Sequence, residues 1–258
     1  MKRLIIGNWK MRPENGAAAV KLFTSTVRET RGLRGVGVVL CVPFVWLSEC
    51  KRHYRGKAVS LGAQDVSAFT SGSHTGEVSA SMVRAAGATH TIVGHSERRA
   101  QGETDEIVRE KVKTALSSGL TVVLCIGETL RDEQGEYLHF LRTQLGTALQ
   151  GLLPTQLSQL IVAYEPIWAI GKTAADAMKP EDMHETSLYI RKVLTEKYTY
   201  DQARLVPILY GGSVEPENAD DLLARGEVDG FLVGHASLEA TSFGSILKTA
   251  HALVKKRG

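Results

Sequence analysis

A single carboxylate, Glu165, stands at the end of a short apolar run and is followed at once by a proline. The run 160–163 is apolar and β-branched at its centre, which predicts a strand buried on both faces. Pro166 disfavours helical backbone at the residue before it, so Glu165 is expected to stay extended. A carboxyl group beside Ile167 and Trp168 would be partly desolvated, which would make it a stronger base. The segment therefore predicts a general base, although many strand-end glutamates only meet solvent.

Polar residues follow other apolar runs in the same way, at the points where predicted strands end. They are Asn8 and Lys10 after the first run, His95, Ser96 and Glu97 after the fourth, Gly211, Gly212 and Ser213 after the seventh, and Gly234 and His235 after the eighth. Taken singly, a histidine can be a core residue, a lysine an exposed one, and a glycine pair a tight turn. Their joint occurrence is explained better by one acid–base site with a base, a second proton-transfer group and a cation.

Short apolar runs alternate with longer amphipathic ones, and these elements would position the polar residues. The predicted strands are 4–7, 36–41, 59–63, 90–93, 121–125, 160–163, 206–209 and 230–233. The predicted helices include 17–29, 105–117, 137–150, 183–197, 218–224 and 246–255. Strands that alternate with helices indicate parallel pairing through right-handed crossovers. About eight such units are typical of a closed (β/α)8 barrel, an α/β fold that places its chemistry at the C-terminal ends of the strands.

An open, doubly wound sheet is the alternative architecture. It is disfavoured because Gly7-Asn8-Trp9-Lys10 follows the first strand, where a dinucleotide-binding sheet would carry Gly-x-Gly-x-x-Gly. The chain shows no Pro/Ser-rich linker or low-complexity tract, so residues 1–258 are expected to form a single catalytic domain. The least regular stretch, 66–77, is rich in Ser, Gly and Thr. A loop of that length is usually functional or part of an interface.

The composition narrows the partners and the compartment that we expect. The net charge is +3 with lysine and arginine spread along the chain, which gives no support to nucleic-acid binding. No apolar run approaches the roughly 20 residues of a membrane span, and 4–6 is too short for a signal-peptide core. Cys41 and Cys125 are expected to be buried free thiols, which suits a reducing compartment. We therefore expect a cytoplasmic protein with no nucleic-acid or membrane partner.

The glycine-rich turns after the seventh and eighth strands have a specific physical use. In this fold a phosphate group commonly sits there, held by backbone N–H groups and by the N-terminus of a short helix, which 213–216 could open. The sequence holds no zinc-ligand cluster and no Walker-type loop, so we expect neither a metal nor a cofactor. A small phosphorylated metabolite is the expected ligand.

Segments along nearly the whole chain resemble the triosephosphate isomerase family. In the first half they are Gly7-Asn8-Trp9-Lys10-Met11, Gly62-Ala63-Gln64-Asp65-Val66, Thr75-Gly76-Glu77-Val78-Ser79 and Val93-Gly94-His95-Ser96-Glu97-Arg98-Arg99. In the second half they are Leu124-Cys125-Ile126-Gly127-Glu128-Thr129, the run 164–171, Tyr210-Gly211-Gly212-Ser213-Val214 and Val228-Asp229-Gly230. Several motifs in the expected order make this resemblance highly specific.

The resemblance implies an isomerase that interconverts dihydroxyacetone phosphate and D-glyceraldehyde 3-phosphate through an enediolate, in glycolysis and gluconeogenesis. Glu165 would remove the proton beside the carbonyl group, and a neutral His95 would polarise the carbonyl oxygen. Lys10 would supply positive charge, and Asn8 would donate a hydrogen bond to the oxygen. These roles are carried over from the family, which is itself a standard example of this acid–base chemistry.

The resemblance also implies supporting residues, phosphate contacts and a lid. Glu97 and Ser96 would support the site, Glu97 by organising Lys10 or His95. The phosphate would bind backbone N–H groups of Gly171, Ser213, Gly234 and His235. The lid, which would close over the substrate and exclude water, comprises Pro166, Ile167, Trp168, Ala169, Ile170, Gly171, Lys172 and Thr173.

The family is typically a homodimer in which the third βα loop of one subunit lies beside the active site of the other. Here that loop would be 66–77, which contains Thr75, Gly76 and Glu77. Thr75 would approach Asn8 of the partner subunit. The resemblance thus implies self-association and gives the irregular stretch a function.

Two departures from the family pattern concern this site. The family usually reads Ile-Gly-Thr-Gly-Lys-Thr-Ala where this chain reads Ile170-Gly171-Lys172-Thr173-Ala174, so the lid is shorter, with extra length in 175–179. His235 replaces the second glycine after the eighth strand, so a side chain must fit near the phosphate. These changes leave open a related isomerase of a four-carbon ketose phosphate. A non-catalytic dimeric binding protein is a further alternative, which the presence of all the reacting groups disfavours.

Overall fold

Eight parallel strands form a closed barrel in which neighbours in sequence pair with one another and the last strand pairs with the first. They are β1 (Arg3–Asn8), β2 (Val36–Cys41), β3 (Val59–Ala63), β4 (His90–Val93), β5 (Thr121–Ile126), β6 (Leu160–Tyr164), β7 (Ile208–Tyr210) and β8 (Gly230–Val233). The structure is a computed structural model that describes residues 3–171 and 178–256. The expected closed (β/α)8 barrel is confirmed, and the open sheet is wrong.

Helices follow the strands and surround the barrel. In the described residues the α-helices are α1 (Gly16–Glu29), α2 (Phe44–Arg52), α3 (Ala80–Ala85), α4 (Ser96–Ala100), α5 (Asp105–Ser117), α6 (Glu136–Ala148), α7 (Pro180–Lys197), α8 (Tyr200–Ala203), α9 (Ala219–Arg225) and α10 (Ala240–Lys256). The helices α2, α3, α4 and α8 are not among those predicted, and α3, α4 and α8 have only 6, 5 and 4 residues, too few for an apolar period to repeat. None of the described helices is long and apolar enough to cross a membrane.

The barrel closes through a backbone contact that admits no side chain. Leu4 of β1 pairs with Gly230 of β8. A Cβ added at Gly230 would lie only 1.7 Å from the backbone oxygen of Leu4. Glycine at this position therefore lets the first and last strands approach each other.

Apolar side chains form two layers, one inside the barrel and one between the barrel and its helices. The inner layer consists of Ile6, Val39, Cys41, Ile92, Val123, Cys125, Ile161, Ala163, Leu209 and Leu232, each at most 4% exposed. Cys41 and Cys125 are buried free thiols, as expected, and so is Cys50. Burial raises the pKa of all three thiols, that of Cys50 to about 12, so these cysteines are inert.

Three predicted elements differ from the structure. Strand β7 begins at Ile208 rather than at 206, and the carbonyl oxygen of Val206 accepts from the Arg191 guanidinium at 2.7 Å. Helix α10 begins at Ala240 rather than 246, because its polar first turn hides the helical period. No helix opens in 213–216, and the predicted helix 218–224 is α9, which begins at Ala219.

Candidate active site

A cavity of about 360 Å³ lies at the C-terminal ends of the strands. Its lining residues follow β1, β4, β6, β7 and β8: Asn8, Lys10, His95, Glu165, Ile170, Gly171, Gly211, Gly212, Ser213, Val214, Glu215, Leu232, Gly234 and His235. All residues predicted for proton transfer or phosphate binding are among them. Parallel strands bring their C-terminal ends to one rim, so residues far apart in sequence meet here.

The Glu165 side chain is buried and hydrogen-bonded rather than exposed at the strand end. Glu165 is 2% exposed, and its backbone N–H donates to the oxygen of Ile126 at 2.8 Å, which continues the pairing of β6 with β5. The backbone N–H of Ser96 donates to Oε2 of Glu165 at 2.9 Å. His95 Nε2 lies 3.2 Å from Oε1. Both carboxylate oxygens are therefore engaged before any substrate is present.

Two glycines make room for Glu165. A Cβ at Gly127 would lie 1.8 Å from the backbone oxygen of Glu165, and one at Gly211 would lie 2.9 Å from its Cγ. Gly127 belongs to one of the motifs that resemble the family, but the sequence assigns it no role. Its partner Glu165 is 38 residues away and comes close only when β5 and β6 pair, so no local signal could reveal the contact.

Trp168 has a partner that the sequence does not reveal. Its indole Nε1 donates to Oε1 of Glu128 at 2.8 Å, and the Tyr164 hydroxyl donates to the same oxygen at 2.7 Å. The backbone N–H of Ile167 donates to the backbone oxygen of Glu128 at 2.9 Å. Desolvation by burial raises the pKa of Glu128. Glu165 is thus buried, as expected. The hydrogen bond of the Trp168 indole is made to Glu128 and not to Glu165.

His95 caps helix α4 and presents one nitrogen to Glu165. Its Nδ1 accepts from the backbone N–H of Glu97 at 3.2 Å. A ring nitrogen that accepts in this way carries no proton, so the imidazole is neutral with its hydrogen on Nε2. That nitrogen faces Glu165 and the cavity. The geometry suits a neutral hydrogen-bond donor to a substrate oxygen.

Lys10 is held in a conformation that non-glycine residues rarely adopt. Its φ is 52°, and its backbone N–H donates to Oδ1 of Asn8 at 3.0 Å. The Nζ atom lies 2.6 Å from Oε1 of Glu97. Left-handed backbone in a lysine is uncommon and is typical of functional sites. Glu97 therefore contacts Lys10 directly and His95 through its backbone N–H.

The glycine-rich turns after β7 and β8 border the same cavity, with Gly211 beside Glu165 and Gly234 beside Lys10. Asn218 closes the first turn: its Nδ2 donates to the oxygen of Ser213 at 3.0 Å, and its Oδ1 accepts from the N–H of Glu215 at 2.9 Å. The second turn is tied to β1, because Ser237 Oγ donates to the oxygens of Asn8 at 3.2 Å and Gly234 at 2.7 Å. Both turns are thus fixed beside the cavity.

The first half of the expected lid is ordered around a 3₁₀ turn, Ile167–Ala169. Ser213 Oγ donates to the oxygen of Ala169 at 3.0 Å, which joins this turn to the loop after β7. Gly171 has a φ of 73°, a conformation that favours glycine. Lys172 and Thr173, the last two residues of the expected lid, lie outside the described residues.

The loop 66–77 is exposed at its end and begins beside a cluster of charged residues. Thr75, Gly76 and Glu77 are exposed, and the ring of Phe69 stacks on His74 with centroids 3.7 Å apart. The loop's beginning is anchored by an ion-pair cluster of Asp65, Arg98, Glu103 and Lys111, in which Lys111 Nζ lies 2.7 Å from both Asp65 oxygens. Desolvation by burial raises the pKa of Asp65.

The described residues contain no group of three or more His, Cys, Asp or Glu side chains that could hold a metal ion. The fold and the site thus define a class: a closed eight-stranded α/β barrel enzyme with a buried carboxylate, a neutral imidazole and a lysine facing one cavity. Such a set of groups moves protons on a small anionic substrate.

Comparison with known proteins identifies the family. A family model described as triosephosphate isomerase matches residues 3–250. The chain belongs to the triosephosphate isomerase family. It is 44% identical over 256 residues to the triosephosphate isomerase of Fusobacterium nucleatum, covering 97% of this chain and 100% of that one. It is 41% identical over 246 residues to that of Alkaliphilus metalliredigens, covering 94% and 97%. The crystal structure of triosephosphate isomerase from Bartonella henselae has a TM-score of 0.85 at 34% identity, covering 96% and 99%.

Proposed function

We propose that the chain interconverts dihydroxyacetone phosphate and D-glyceraldehyde 3-phosphate, an aldose–ketose isomerisation in glycolysis and gluconeogenesis. The observation that carries the proposal is the Glu165 carboxylate, buried beside His95 Nε2 at the cavity that Lys10 also lines. A carboxylate in that position can remove a carbon-bound proton, and the neighbouring groups can stabilise the oxyanion that results.

Proton abstraction begins with a rearrangement of Glu165. Its Oε2 accepts from the N–H of Ser96 and its Oε1 lies 3.2 Å from His95 Nε2, so we expect the carboxylate to turn toward the substrate carbon before it takes a proton. The proton comes from the carbon beside the carbonyl group, and the electron pair moves onto the carbonyl oxygen to form the enediolate. Glu165 then returns the proton to the neighbouring carbon. The interaction with Ser96 gives the free enzyme a defined resting position for its base.

Three groups stabilise the negative charge that develops on the enediolate. His95 donates from Nε2 to the oxygen and passes protons between the two oxygens. Lys10 contributes its positive charge, which Glu97 holds in place at 2.6 Å. Asn8, which is 4% exposed, fixes the backbone of Lys10 through Oδ1 and offers its amide N–H to the oxygen. Donors placed before the reaction need no reorganisation when charge appears.

The substrate phosphate occupies the end of the cavity that the glycine-rich turns border. Its contacts are the backbone N–H groups of Gly171, Ser213, Gly234 and His235. The lid, 166–173, closes over it and excludes water, which protects the enediolate from loss of phosphate. The proton transfers proposed above use only groups of the chain itself.

The homodimer and the cytoplasmic location belong to the same proposal. Exposed apolar side chains lie on the segments that follow β1, β2 and β3: Met11 is 94% exposed, Val45 71%, Phe69 52% and Met82 61%. A second copy of the chain would cover them and bring Thr75 beside Asn8 of the partner subunit. The three free thiols suit a reducing cytoplasm. The chain is a single catalytic domain whose partners are the triose phosphate and its own second copy, without nucleic acid or membrane.

Replacement of the base tests the reaction directly. Glu165→Gln should lower kcat about 10²–10⁴-fold, because the amide cannot accept a proton. Turnover in both directions and deuterium uptake at the carbon beside the carbonyl are the measurements, with circular dichroism to confirm the fold. Glu106→Gln, which removes an exposed carboxylate on α5, is the matched control and should keep the wild-type rate.

Two outcomes would contradict the proposal. An unchanged rate in Glu165→Gln would show that another group removes the proton. Faster turnover of a four-carbon ketose phosphate than of the triose phosphates by the wild-type protein would mean that the substrate is wrong.

A further inference from the structure

The Arg99 side chain joins three segments of the chain near the ends of β4 and β5. Arg99 lies in α4, the five-residue helix that directly follows His95. Its Nε donates to the oxygen of Gly94 at 2.8 Å, and its two terminal nitrogens donate to Oδ1 of Asp105 at 2.6 Å and to the oxygen of Cys125 at 3.4 Å. The side chain is only 13% exposed. The guanidinium group is therefore held between these segments rather than in solvent.

The contact with Gly94 fixes the turn that presents His95. Gly94 directly precedes His95 and has a φ of 72°. A Cβ at Gly94 would lie 3.2 Å from a terminal nitrogen of Arg99, so the guanidinium group lies against this backbone. A helix as short as α4 is not stable by itself, and contacts made by its side chains must hold it in place. The hydrogen bond from Arg99 back to Gly94 therefore sets where α4 begins.

The start of α4 is the part of the helix that contacts the base. The backbone N–H of Ser96 donates to Oε2 of Glu165 at 2.9 Å, and His95 Nε2 lies 3.2 Å from Oε1. Ser96 is the first residue of α4 and His95 is its N-cap. A shift of this first turn would therefore change both contacts of the Glu165 carboxylate at once.

The contact with Cys125 reaches the strand that holds Glu165. Cys125 lies in β5, and the next residue, Ile126, accepts from the backbone N–H of Glu165 at 2.8 Å. At 3.4 Å, the contact with Cys125 is the longest of the three and so the weakest. Arg99 thus connects the loop that carries His95 with the strand beside Glu165.

We infer that Arg99 is a positioning residue for the isomerase reaction, which sets the placement of His95 relative to Glu165. The inference rests on the proposed function, because it concerns the two groups that the function assigns to proton transfer. Arg99 is not among the residues that line the cavity, so it acts through these groups and not on the substrate. The ion pair with Asp105 holds the planar guanidinium group, which reaches all three acceptors.

A change at Arg99 should affect the reacting groups more than the phosphate contacts. The partners of Arg99 belong to the part of the chain from the end of β4 to β5, whereas the proposed phosphate contacts follow β6, β7 and β8. A displacement of about 1 Å at reacting groups can lower a rate about 10²-fold. We therefore expect kcat to fall while KM is nearly unchanged.

Arg99→Lys in the full-length protein tests this expectation, because lysine keeps the positive charge but not the planar set of donors. The substitution should lower kcat about tenfold and change KM less than about twofold. Calorimetry with two probes separates the two parts of the site. The affinity for 2-phosphoglycolate, whose carboxylate stands in for the enediolate, should fall about tenfold, and the affinity for inorganic phosphate should stay within about twofold of the wild type.

Arg191→Lys is the matched control. The Arg191 guanidinium also binds two backbone oxygens, those of Ala203 and Val206, and lies 3.6 Å from a carboxylate oxygen of Asp229. These partners precede β7 and β8, so they lie toward the N-terminal ends of the strands, away from the cavity. Urea titration should show that the control loses stability as Arg99→Lys does. Its kcat and its affinities for both probes should remain those of the wild type.

A measurement without ligand observes His95 itself. In NMR spectra of the free protein, the ring signals of His95 should move in Arg99→Lys and should stay in place in Arg191→Lys. If Arg99→Lys does not fold, Asp105→Asn is the second variant, because it keeps Arg99 and weakens the hold on its guanidinium group. It should lower kcat and the affinity for 2-phosphoglycolate about threefold, with phosphate affinity unchanged.

Three results would overturn the inference. They are equal losses of affinity for 2-phosphoglycolate and for inorganic phosphate, an equal fall of kcat in Arg99→Lys and Arg191→Lys, and ring signals of His95 that do not move. The NMR and calorimetric measurements require no turnover. Failure of the proposed isomerase function would be seen separately, as a wild-type protein that does not convert the triose phosphates.

Discussion

At the scale of single residues, the site depends on how Glu165 is buried. The residue is 2% exposed, yet its contacts are a backbone N–H, a neutral imidazole and two glycines rather than a cationic side chain. The thiol of Cys125 lies close enough for the carboxylate to contribute to its raised pKa, after burial as the main cause. A base held by neutral groups keeps its negative charge available for a proton.

Gly127→Ala tests whether the close backbone packing places this base. The added Cβ would lie 1.8 Å from the backbone oxygen of Glu165, so the end of β6 must shift. We expect a loss of about 3 kcal/mol in the free energy of unfolding and a drop in kcat larger than any change in KM. Urea titration and steady-state kinetics measure both effects.

Gly146→Ala is the matched control for this substitution. Gly146 lies within α6, and a Cβ there would meet nothing within 4 Å. Alanine should therefore stabilise the helix by about 0.5–1 kcal/mol without affecting turnover. Equal behaviour of the two variants would show that the Gly127 contact does not matter.

At the scale of elements, Glu128 joins β5, β6 and the first turn of the lid. Its Oε1 accepts from the Tyr164 hydroxyl and from the Trp168 indole, while its backbone oxygen accepts from Ile167. Ser213 binds the other end of the same turn, at Ala169. The part of the lid nearest to Glu165 is thus tied to the barrel at both ends.

Glu128→Gln should change how stability depends on pH. Burial raises the pKa of Glu128 in the folded protein, so folding favours the protonated carboxyl. Its contribution to stability is therefore fully present below the ordinary glutamate value of about 4.3 and is lost as pH rises through the raised pKa. Glutamine stays neutral, so the free energy of unfolding of the variant relative to the wild type should increase from pH 4 to pH 8.

Urea titrations at several pH values provide the measurement. Oε2 of Glu128 is buried without a hydrogen-bond partner, so the glutamine amide would bury an unpaired N–H group there. The loss of stability from that group is the same at every pH and does not change how the difference between variant and wild type varies with pH. Glu133→Gln removes one exposed carboxylate from the same loop and controls for net charge. A difference between Glu128→Gln and the wild type that does not vary with pH would contradict the expectation.

At the scale of the whole molecule, the proposed dimer would use the loop 66–77, which follows β3. The beginning of this loop is anchored by Asp65 and Lys111. Lys111 is 4% exposed and carries a charge that would be costly without good partners. This cluster therefore keeps the loop's beginning in one position, which a self-complementary interface requires.

Phe69→Glu should disrupt self-association. The substitution places a charge on an exposed ring at the proposed interface, where its partner would be apolar. Sedimentation at micromolar concentration should show a dimer for the wild type and a monomer with reduced activity for the variant. Leu130→Glu, a change at a residue that is 70% exposed in the loop after β5, should remain a dimer. A wild-type protein that is an active monomer would refute the proposed homodimer.

Strand positions and the identity of the reacting groups could be predicted from the sequence because both are local properties. The runs 36–41, 59–63, 90–93 and 230–233 have the bounds of β2, β3, β4 and β8, since buried parallel strands are largely apolar. Glu165, His95 and Lys10 could be selected because they follow such runs. The short helices and the true start of β7 could not be predicted. A short helix shows no repeated apolar period, and the distant hydrogen bonds near a strand end are not visible in a local stretch of sequence.

The sequence alone determined the order of strands and helices, the family resemblance and the residue types that can carry the chemistry. Only the tertiary structure decided which groups touch: Glu165 with Ser96, Lys10 with Glu97, Trp168 with Glu128, and His235 with Glu215. The two residues of each pair are 20 to 87 residues apart in the sequence. Such contacts arise when the barrel closes, because closure brings the ends of distant strands together around one cavity.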